Sequence, residues 1–181
     1  MNCPVCKTSY LHSIESEELP QRLLCDECGG TWIKSFQYWK WLEAHGANLP
    51  EKSPQDSTKL PVTDSTKAKI CPECGHILTR CRVGHGIDFS IDRCATCGGI
   101  WFDKNEWEVL KDHNLHDDVH FIFSSAWQHR IVEEQQKQSH EKRIETILGK
   151  DDFAKLRDLK FWIVRHPKRN TMMAFLSDLE L

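Results

Sequence analysis

Eight of the nine cysteines stand in four Cys-x-x-Cys pairs, and the pairs fall into two sets. The first set is Cys3, Cys6, Cys25 and Cys28, and the second is Cys71, Cys74, Cys94 and Cys97. Within each set the two pairs are separated by 18 or 19 residues. This spacing puts four thiolates on two tight turns, in the tetrahedral geometry that Zn²⁺ accepts. The sequence therefore predicts two zinc sites and two zinc ions per chain.

The two cysteine sets belong to two copies of one repeat. The run C-D-E-C-G-G-T-W-I begins at Cys25, and C-A-T-C-G-G-I-W-F begins 69 residues later at Cys94. Each copy is only about 40 residues long, a size at which a bound metal usually supplies the folding free energy. We therefore expect two tandem zinc ribbons. Since four cysteines close the coordination shell, we expect structural rather than catalytic zinc.

A family resemblance rests on C-P-x-C followed by C-x-x-C-G-G-x-W and an acidic capping position. This pattern resembles the transcription factor IIB type zinc-ribbon family of small, mostly bacterial proteins. The copy from Cys71 to Leu110 fits it, whereas the first copy has Lys7 where the second has Gly75, which predicts a looser first turn. The resemblance covers roughly 80 of the 181 residues and implies zinc binding, with a part in transcription implied by name only.

Each ribbon is expected to be a short β-hairpin followed by a helix. In the first copy, Ser35 is a candidate N-cap and Gly46 a candidate C-cap. The predicted buried face of this helix contains Phe36, Trp39 and Leu42. Tyr38 and Trp41 lie outside this predicted face.

The second ribbon has clearer strand and helix signals. Apolar residues alternate on both sides of Gly84-His85-Gly86, which predicts a hairpin with its turn there. Residues 103–106, Asp-Lys-Asn-Glu, form a capping box, and Trp107 and Leu110 follow one helical turn apart. We expect Trp32 and Trp101 each to pack between its own ribbon and the helix that follows that ribbon.

The segment from residue 46 to 69 is rich in Pro, Ser, Thr and charged residues, a composition that predicts a flexible linker. The predicted organisation is a first ribbon at 1–45, this linker at 46–69, a second ribbon at 70–112 and a helical region at 113–181. The fold class is thus small α+β ribbons plus an α-helical C-terminal region. We expect the ribbons and the tail to be independent units.

The C-terminal region contains no cysteine and predicts three helices. A long helix covers Ala126 to Leu148, because that stretch lacks Gly and Pro and favours helix formers. A second helix is capped by Asp151 and stopped by His166-Pro167, and a short third helix follows Asn170. The apolar stripes predict that the last two helices pair as a hairpin; they are Phe153, Leu156, Leu159 and Ile163, and Met172, Phe175, Leu176 and Leu179.

Composition argues for a non-enzymatic chain in the cytosol. The chain has no G-x-S-x-G, no phosphate-binding glycine loop and no H-E-x-x-H. No signal peptide precedes Cys3, and no run of about 18 apolar residues occurs, so we expect a cytoplasmic protein with reduced thiols. A disulfide framework is the alternative for the cysteines, and both their spacing and this compartment oppose it.

Two partner classes remain open. We favour a protein partner bound by an adaptor, with the transcription or translation machinery as a candidate source. The alternative is a nucleic-acid-binding regulator, because one basic stretch stands out in a chain of net charge -3; its cations are Lys155, Arg157, Lys160, Arg165, Lys168 and Arg169. No small-molecule substrate and no membrane partner is evident.

A third alternative is a thiol or zinc sensor, in which oxidation of thiols releases the metal and the ninth cysteine is a candidate reactive thiol. Cys81 lies between Arg80 and Arg82, which would lower its pKa if the thiol were exposed. The competing interpretation is an ordinary strand cysteine. The repeat places Ser13 at the equivalent position, so the fold does not require a thiol there.

Overall fold

A computed structural model of the protein describes residues 1–16, 19–46, 49 and 60–178. The chain divides into two compact units, Met1–Ile131 and Val132–Leu181. The predicted small α+β class with a helical C-terminal region agrees with the antiparallel strands and six helices that the structure describes.

The first unit is built on one six-stranded antiparallel sheet with the order β1-β2-β3-β6-β5-β4. Its strands are β1 (His12–Ile14), β2 (Arg22–Leu24), β3 (Thr31–Ile33), β4 (Leu78–Gly84), β5 (Ile87–Cys94) and β6 (Ile100–Phe102). Strands β1 to β3 come from the first repeat copy and β4 to β6 from the second. The two repeat copies therefore share a single sheet, and the expectation that they fold as independent units is wrong.

The join between the copies is the pairing of β3 with β6. Trp32 lies opposite Trp101, with Thr31 opposite Phe102 and Ile33 opposite Ile100. Since Trp32 and Trp101 hold the same position in the two copies, the ribbons meet around a local twofold relation. This resembles the isologous interface of a homodimer, folded into one chain.

The hairpin predicted in the second ribbon is confirmed. Strands β4 and β5 pair from Leu78 opposite Cys94 to Gly84 opposite Ile87. The two turn residues have positive φ, 53° at His85 and 83° at Gly86, as a tight primed turn requires. Alternate residues of β5, among them Phe89 and Ile91, then point into the main core.

Four helices begin in the first unit: α1 (Ser35–His45), α2 (Glu106–Asp112), α3 (Val119–Ile122) and α4 (Ser125–Leu148). The capping box of α2 is half formed, since Glu106 Oε2 accepts a hydrogen bond from the Asp103 backbone N–H at 2.8 Å. Trp107 and Leu110 are buried behind it, as expected. For α1 the N-cap is Lys34, one residue before the predicted Ser35.

The buried face of helix α1 is rotated from the predicted one, and of the three predicted residues only Leu42 packs partly on the main core. Tyr38 and Trp41 lie in the core, whereas Phe36 is 64% exposed and Trp39 43% exposed. The reason is long-range, because Trp41 packs edge-on against Trp107 of α2, with ring centroids 5.6 Å apart. The Tyr38 hydroxyl also donates to the Asp117 carbonyl oxygen at 2.8 Å. Helix α1 thus packs on the second copy rather than only on its own ribbon.

The predicted linker is partly anchored. Most of residues 46–59 lie outside the described residues, but residues 60–69 contact the second ribbon. The Ser65 backbone N–H donates to Asp103 Oδ2 at 2.8 Å, and Val62 packs on the main core. Lys69 is buried. A linker free of packing contacts is therefore the wrong description of residues 60–69.

The second unit holds most of α4, then α5 (Lys150–Arg165) and α6 (Arg169–Ser177). Helix α4 confirms the predicted long helix, and α5 begins at Lys150 after Gly149, so Asp151 is not its cap. Helices α5 and α6 contact each other, as the predicted hairpin requires, with Leu179 outside the described residues. Seven large apolar side chains of these helices are nevertheless exposed: Leu156, Leu159, Phe161, Trp162, Val164, Met173 and Phe175.

No helix in the described part of the chain is both long enough and apolar enough to cross a membrane.

Candidate metal centres

The structure gathers the eight paired cysteines into two clusters. In each cluster the four sulfur atoms lie within 4.8 Å of one another. The closest pairs in the first cluster are Cys3 with Cys28 at 3.6 Å and Cys6 with Cys25 at 3.9 Å. Zinc–sulfur bonds of about 2.3 Å in a tetrahedron place the sulfurs about 3.8 Å apart. The first cluster therefore has the size of a four-thiolate zinc site.

The second cluster has the same arrangement. Cys71 and Cys97 have their sulfurs 3.5 Å apart, and Cys74 and Cys94 have theirs 3.3 Å apart. The His76 ring Nδ1 lies 3.3 Å from the Cys74 sulfur, as a neighbour of the ligand set rather than a replacement for one of the four thiols.

Each Cys-x-x-Cys pair closes a turn with the same backbone geometry. The residue after the second cysteine donates its N–H to the carbonyl oxygen of the first cysteine, and it adopts positive φ: Lys7 at 65°, Gly29 at 71°, Gly75 at 75° and Gly98 at 74°. Lys7 thus forms the turn that glycine forms elsewhere, although a side chain in this region costs on the order of 1 kcal/mol. The looser first turn predicted from Lys7 is wrong.

The turns also aim backbone amides at the sulfurs. Burial acts to raise the pKa of Cys94, but the amides of Cys97 and Thr96 and the Cys74 thiol together lower it to about 6. Cys25 occupies the equivalent position, and despite burial the amides of Cys28 and Glu27 lower its pKa as well. Both clusters therefore contain one thiol whose surroundings favour the thiolate, which is the form that binds a metal.

The two clusters are tied together by tryptophans that cross between the ribbons. Trp32 of the first ribbon lies against Gly99, directly after the Cys94–Cys97 pair. Reciprocally, Trp101 of the second ribbon lies against Gly30. Both indoles are fully buried. The repeat motif C-G-G-x-W thus packs each tryptophan on the glycine of the other copy, a role that the sequence alone did not reveal.

Polar contacts reinforce the crossing. The Trp32 Nε1–H donates to Glu73 Oε2 at 3.3 Å, and Glu73 lies inside the Cys71–Cys74 pair. Lys34, just after β3, places its ammonium 3.5 Å from the other Glu73 oxygen. The first ribbon therefore contacts the second metal-binding loop directly.

A buried charged cluster lies beside the sheet and was not expected from the sequence. The Lys69 ammonium is 2.6 Å from Asp92 Oδ2 and 3.2 Å from Asp103 Oδ2. Asp64, Asp103 and Glu106 also bring carboxylate oxygens within 4.8 Å of one another. Since Lys69 already supplies a cation, this cluster is explained as a structural ion-pair network.

Cys81 is a half-buried residue of β4 outside both clusters. Burial and the nearby Asp92 carboxylate raise its pKa, although the Arg93 charge opposes them. The pKa change is opposite to the one that its arginine neighbours in sequence would predict.

The six candidate partner-binding cations all lie in the second unit. Lys155, Arg157, Lys160 and Arg165 belong to α5, and Lys168 and Arg169 stand at the start of α6. All six side chains are exposed. Within the described residues, the only ion pair they form joins Lys155 to Asp152 at 3.0 Å.

A model of the family described as transcription factor zinc-finger matches residues 70–113 of this chain. The match covers the second ribbon and α2, about a quarter of the sequence. No match is found among curated proteins or among solved structures.

Proposed function

We propose that the chain binds two zinc ions, one in each four-cysteine cluster, and that both ions are structural. The observation that carries the proposal is the gathering of two sets of four sulfurs, each within 4.8 Å. The family match supports zinc binding at the second cluster. The equal geometry of the first cluster extends the proposal to it. Four thiolates leave no open position for a substrate or a water, so the proposed role of the metal is to hold the fold.

The proposed activity is that of a non-enzymatic adaptor. The second unit supports it, because α5 and α6 expose large apolar side chains that a soluble helix would ordinarily bury. On this proposal the zinc ribbons form a rigid body, and the helical tail recruits a protein.

A nucleic-acid-binding regulator is the second candidate function. The five cations of α5 and α6 without an ion pair in the described residues favour it, together with Trp162, which is 56% exposed. Phosphate binding of this kind weakens by several decades per decade of salt, because nucleic acid releases counterions when the protein binds. Binding of a labelled single-stranded oligonucleotide at two salt concentrations separates the two functions. The third candidate, a sensor reacting at Cys81, is opposed by the raised pKa of that thiol.

Cobalt substitution tests the zinc proposal directly. Metal-free protein refolded with Co²⁺ should bind two equivalents and show the intense absorption of tetrahedral cobalt thiolates. Replacement of Cys3 and Cys6 by Ser should reduce that signal, whereas Cys81→Ser should leave it unchanged. A single cobalt equivalent in the unaltered chain would contradict the proposal.

A further inference from the structure

The hairpin of α5 and α6 has an incomplete core. Ile163 is its one buried residue in the described part of the two helices. Phe175 is 80% exposed and Val164 is 60% exposed. Segments shorter than roughly 40 residues rarely stabilise themselves by apolar burial alone, and Lys150 to Ser177 is shorter than that. Within the described residues, these exposed side chains form an apolar surface on the hairpin.

The exposed apolar side chains form two grooves that flank the line of contact between the helices. Both grooves are lined by Leu159, Ile163 and Leu176. One adds Trp162 and Phe175, and encloses about 450 Å³; the other adds Val164 and Met173, and encloses about 460 Å³. Elongated apolar grooves beside a helix pair suit the apolar face of another helix, anchored at every third or fourth residue.

The charged residues around the grooves favour a partner helix with a particular charge. The hairpin from Lys150 to Ser177 contains seven basic residues and three acidic residues. Lys160 lines one groove, and Arg165 stacks over Phe161 at 3.4 Å from the ring centroid. A partner with acidic residues flanking its apolar stripe would meet these cations, and like charge would repel a basic one.

The same observations disfavour other occupants. A second copy of the hairpin would bring an equal set of basic residues against the first. A planar bilayer covers one side of a helix pair, whereas the apolar residues here flank the seam in two grooves. Bases of nucleic acid stack on aromatic rings, but the groove residues are mostly Leu, Ile, Val and Met.

We propose that the α5–α6 hairpin is a docking surface for an acidic amphipathic helix of a partner protein. This inference rests on the adaptor function proposed above, and it names the class of segment that the adaptor recognises. The partner helix lies in the groove that Lys160 and Met173 line, with its apolar face on Leu159, Ile163 and Leu176. Its acidic rim faces Lys160 and Arg157.

The test uses the full-length, zinc-loaded chain and a fluorescein-labelled designed peptide. The probe is a helix of about 20 residues with Leu on one face and Glu on the other, long enough to hold a helical fold on binding. One control peptide replaces every Glu by Lys, and a second scrambles the order of the same residues. Fluorescence anisotropy should show that the acidic amphipathic peptide binds at least about tenfold more tightly than either control.

Variants of the chain make the test specific. Met173→Glu should weaken binding of the acidic peptide by about tenfold or more, because Met173 lines the proposed groove. Ile77→Glu, the same kind of apolar-to-acidic change at a residue of the first unit that is 68% exposed, should not. The double charge reversal R157E/K160E should shift preference toward the basic peptide. Circular dichroism confirms that each variant keeps its helices.

Three outcomes would overturn the inference. The first is equal binding of all three peptides. The second is retention of the chain by vesicles of anionic lipid, with release by Met173→Glu. The third is a dimer in sedimentation that Met173→Glu dissociates. Zinc content is measured on the same samples. A chain that holds two zinc ions and ignores the acidic peptide refutes the docking proposal alone, whereas a chain without zinc refutes the proposed metal function.

Discussion

Among single residues, Trp32 and Trp101 explain why Gly99 and Gly30 are glycines, since each tryptophan packs on the glycine of the other copy. A side chain at Gly99 would overlap the Trp32 ring, and one at Gly30 would overlap the Trp101 ring. The sequence predicted that each tryptophan would pack between its own ribbon and the following helix. Both are buried, but they pack with the cysteine loops and the glycine of the other copy, so the predicted packing is wrong. It could not show which copy each one packs on, because the motif is the same in both copies.

The close approach at Gly99 predicts a large effect of one methyl group. Gly99→Ala should lower the free energy of unfolding by about 3 kcal/mol, because the buried Trp32 ring has no space to move into. Gly75→Ala is the matched control, since its Cβ would meet no atom within 4 Å and only the positive φ is penalised, by on the order of 1 kcal/mol. Urea unfolding at fixed free zinc measures both changes. Equal losses in the two variants would contradict the interlocked packing.

The buried carboxyl of Glu106 predicts a pH dependence of stability. Burial and the nearby Asp103 and Asp64 charges raise its pKa from 4.5 to about 9, although the Asp103 amide and Lys69 oppose them. The folded chain thus keeps a proton that the unfolded chain releases, so this group makes the free energy of unfolding fall as pH rises from 4.5 to about 9.

Glu106→Gln removes this titration and leaves an acceptor for the Asp103 N–H. The unaltered chain should therefore lose stability relative to the variant as pH increases. Urea unfolding above about pH 6.5, where thiolates still retain zinc, measures the difference. Parallel pH profiles for the two proteins would show that Glu106 titrates normally.

Among helices and strands, the sequence predicted the elements that depend on neighbouring residues, but it did not predict contacts between distant segments. The β4–β5 hairpin and α4 follow from residues near in sequence, and the structure confirms both. The prediction of the buried face of α1 was wrong because Tyr38 and Trp41 pack on residues about 70 positions away in the sequence. Helical periodicity cannot identify such distant neighbours. The β3–β6 pairing was missed for the same reason.

The β3–β6 join predicts coupling between the metal sites. Cys94→Ser with Cys97→Ser should unfold the second ribbon, and it should also lower the zinc affinity of the first site by between about 5-fold and 150-fold. The reason is that Trp32 loses Gly99 and Glu73 as packing partners. Competition with a zinc-binding dye measures the affinity, and hydrogen exchange should show lost protection at Thr31–Ile33. Cys81→Ser is the control, because Cys81 lies outside both clusters. If the zinc affinity of the first site were unchanged in the double variant, the two ribbons would be independent and the predicted coupling would be wrong.

At the scale of the whole molecule, the metal sites were predictable and the architecture was only partly so. Cysteine spacing brings four thiols together through turns of a few residues, and the structure shows the two predicted four-cysteine clusters. The charge distribution was also visible in the sequence: residues 1–131 hold 14 basic and 18 acidic residues, and residues 132–181 hold 10 and 9. The joining of both ribbons into one sheet is a property of the folded unit and leaves no local pattern.

On the proposed function, two zinc ions stabilise one interlocked unit. A zinc titration of the metal-free chain, followed by native mass spectrometry, measures whether the two sites fill together. Two independent, equal sites would give about half of the molecules one zinc ion at half-saturation. Coupled sites should deplete the one-zinc species at that point and end at two zinc ions per chain. An end point of one zinc ion, or a one-zinc species that reaches half of the population, would contradict the account.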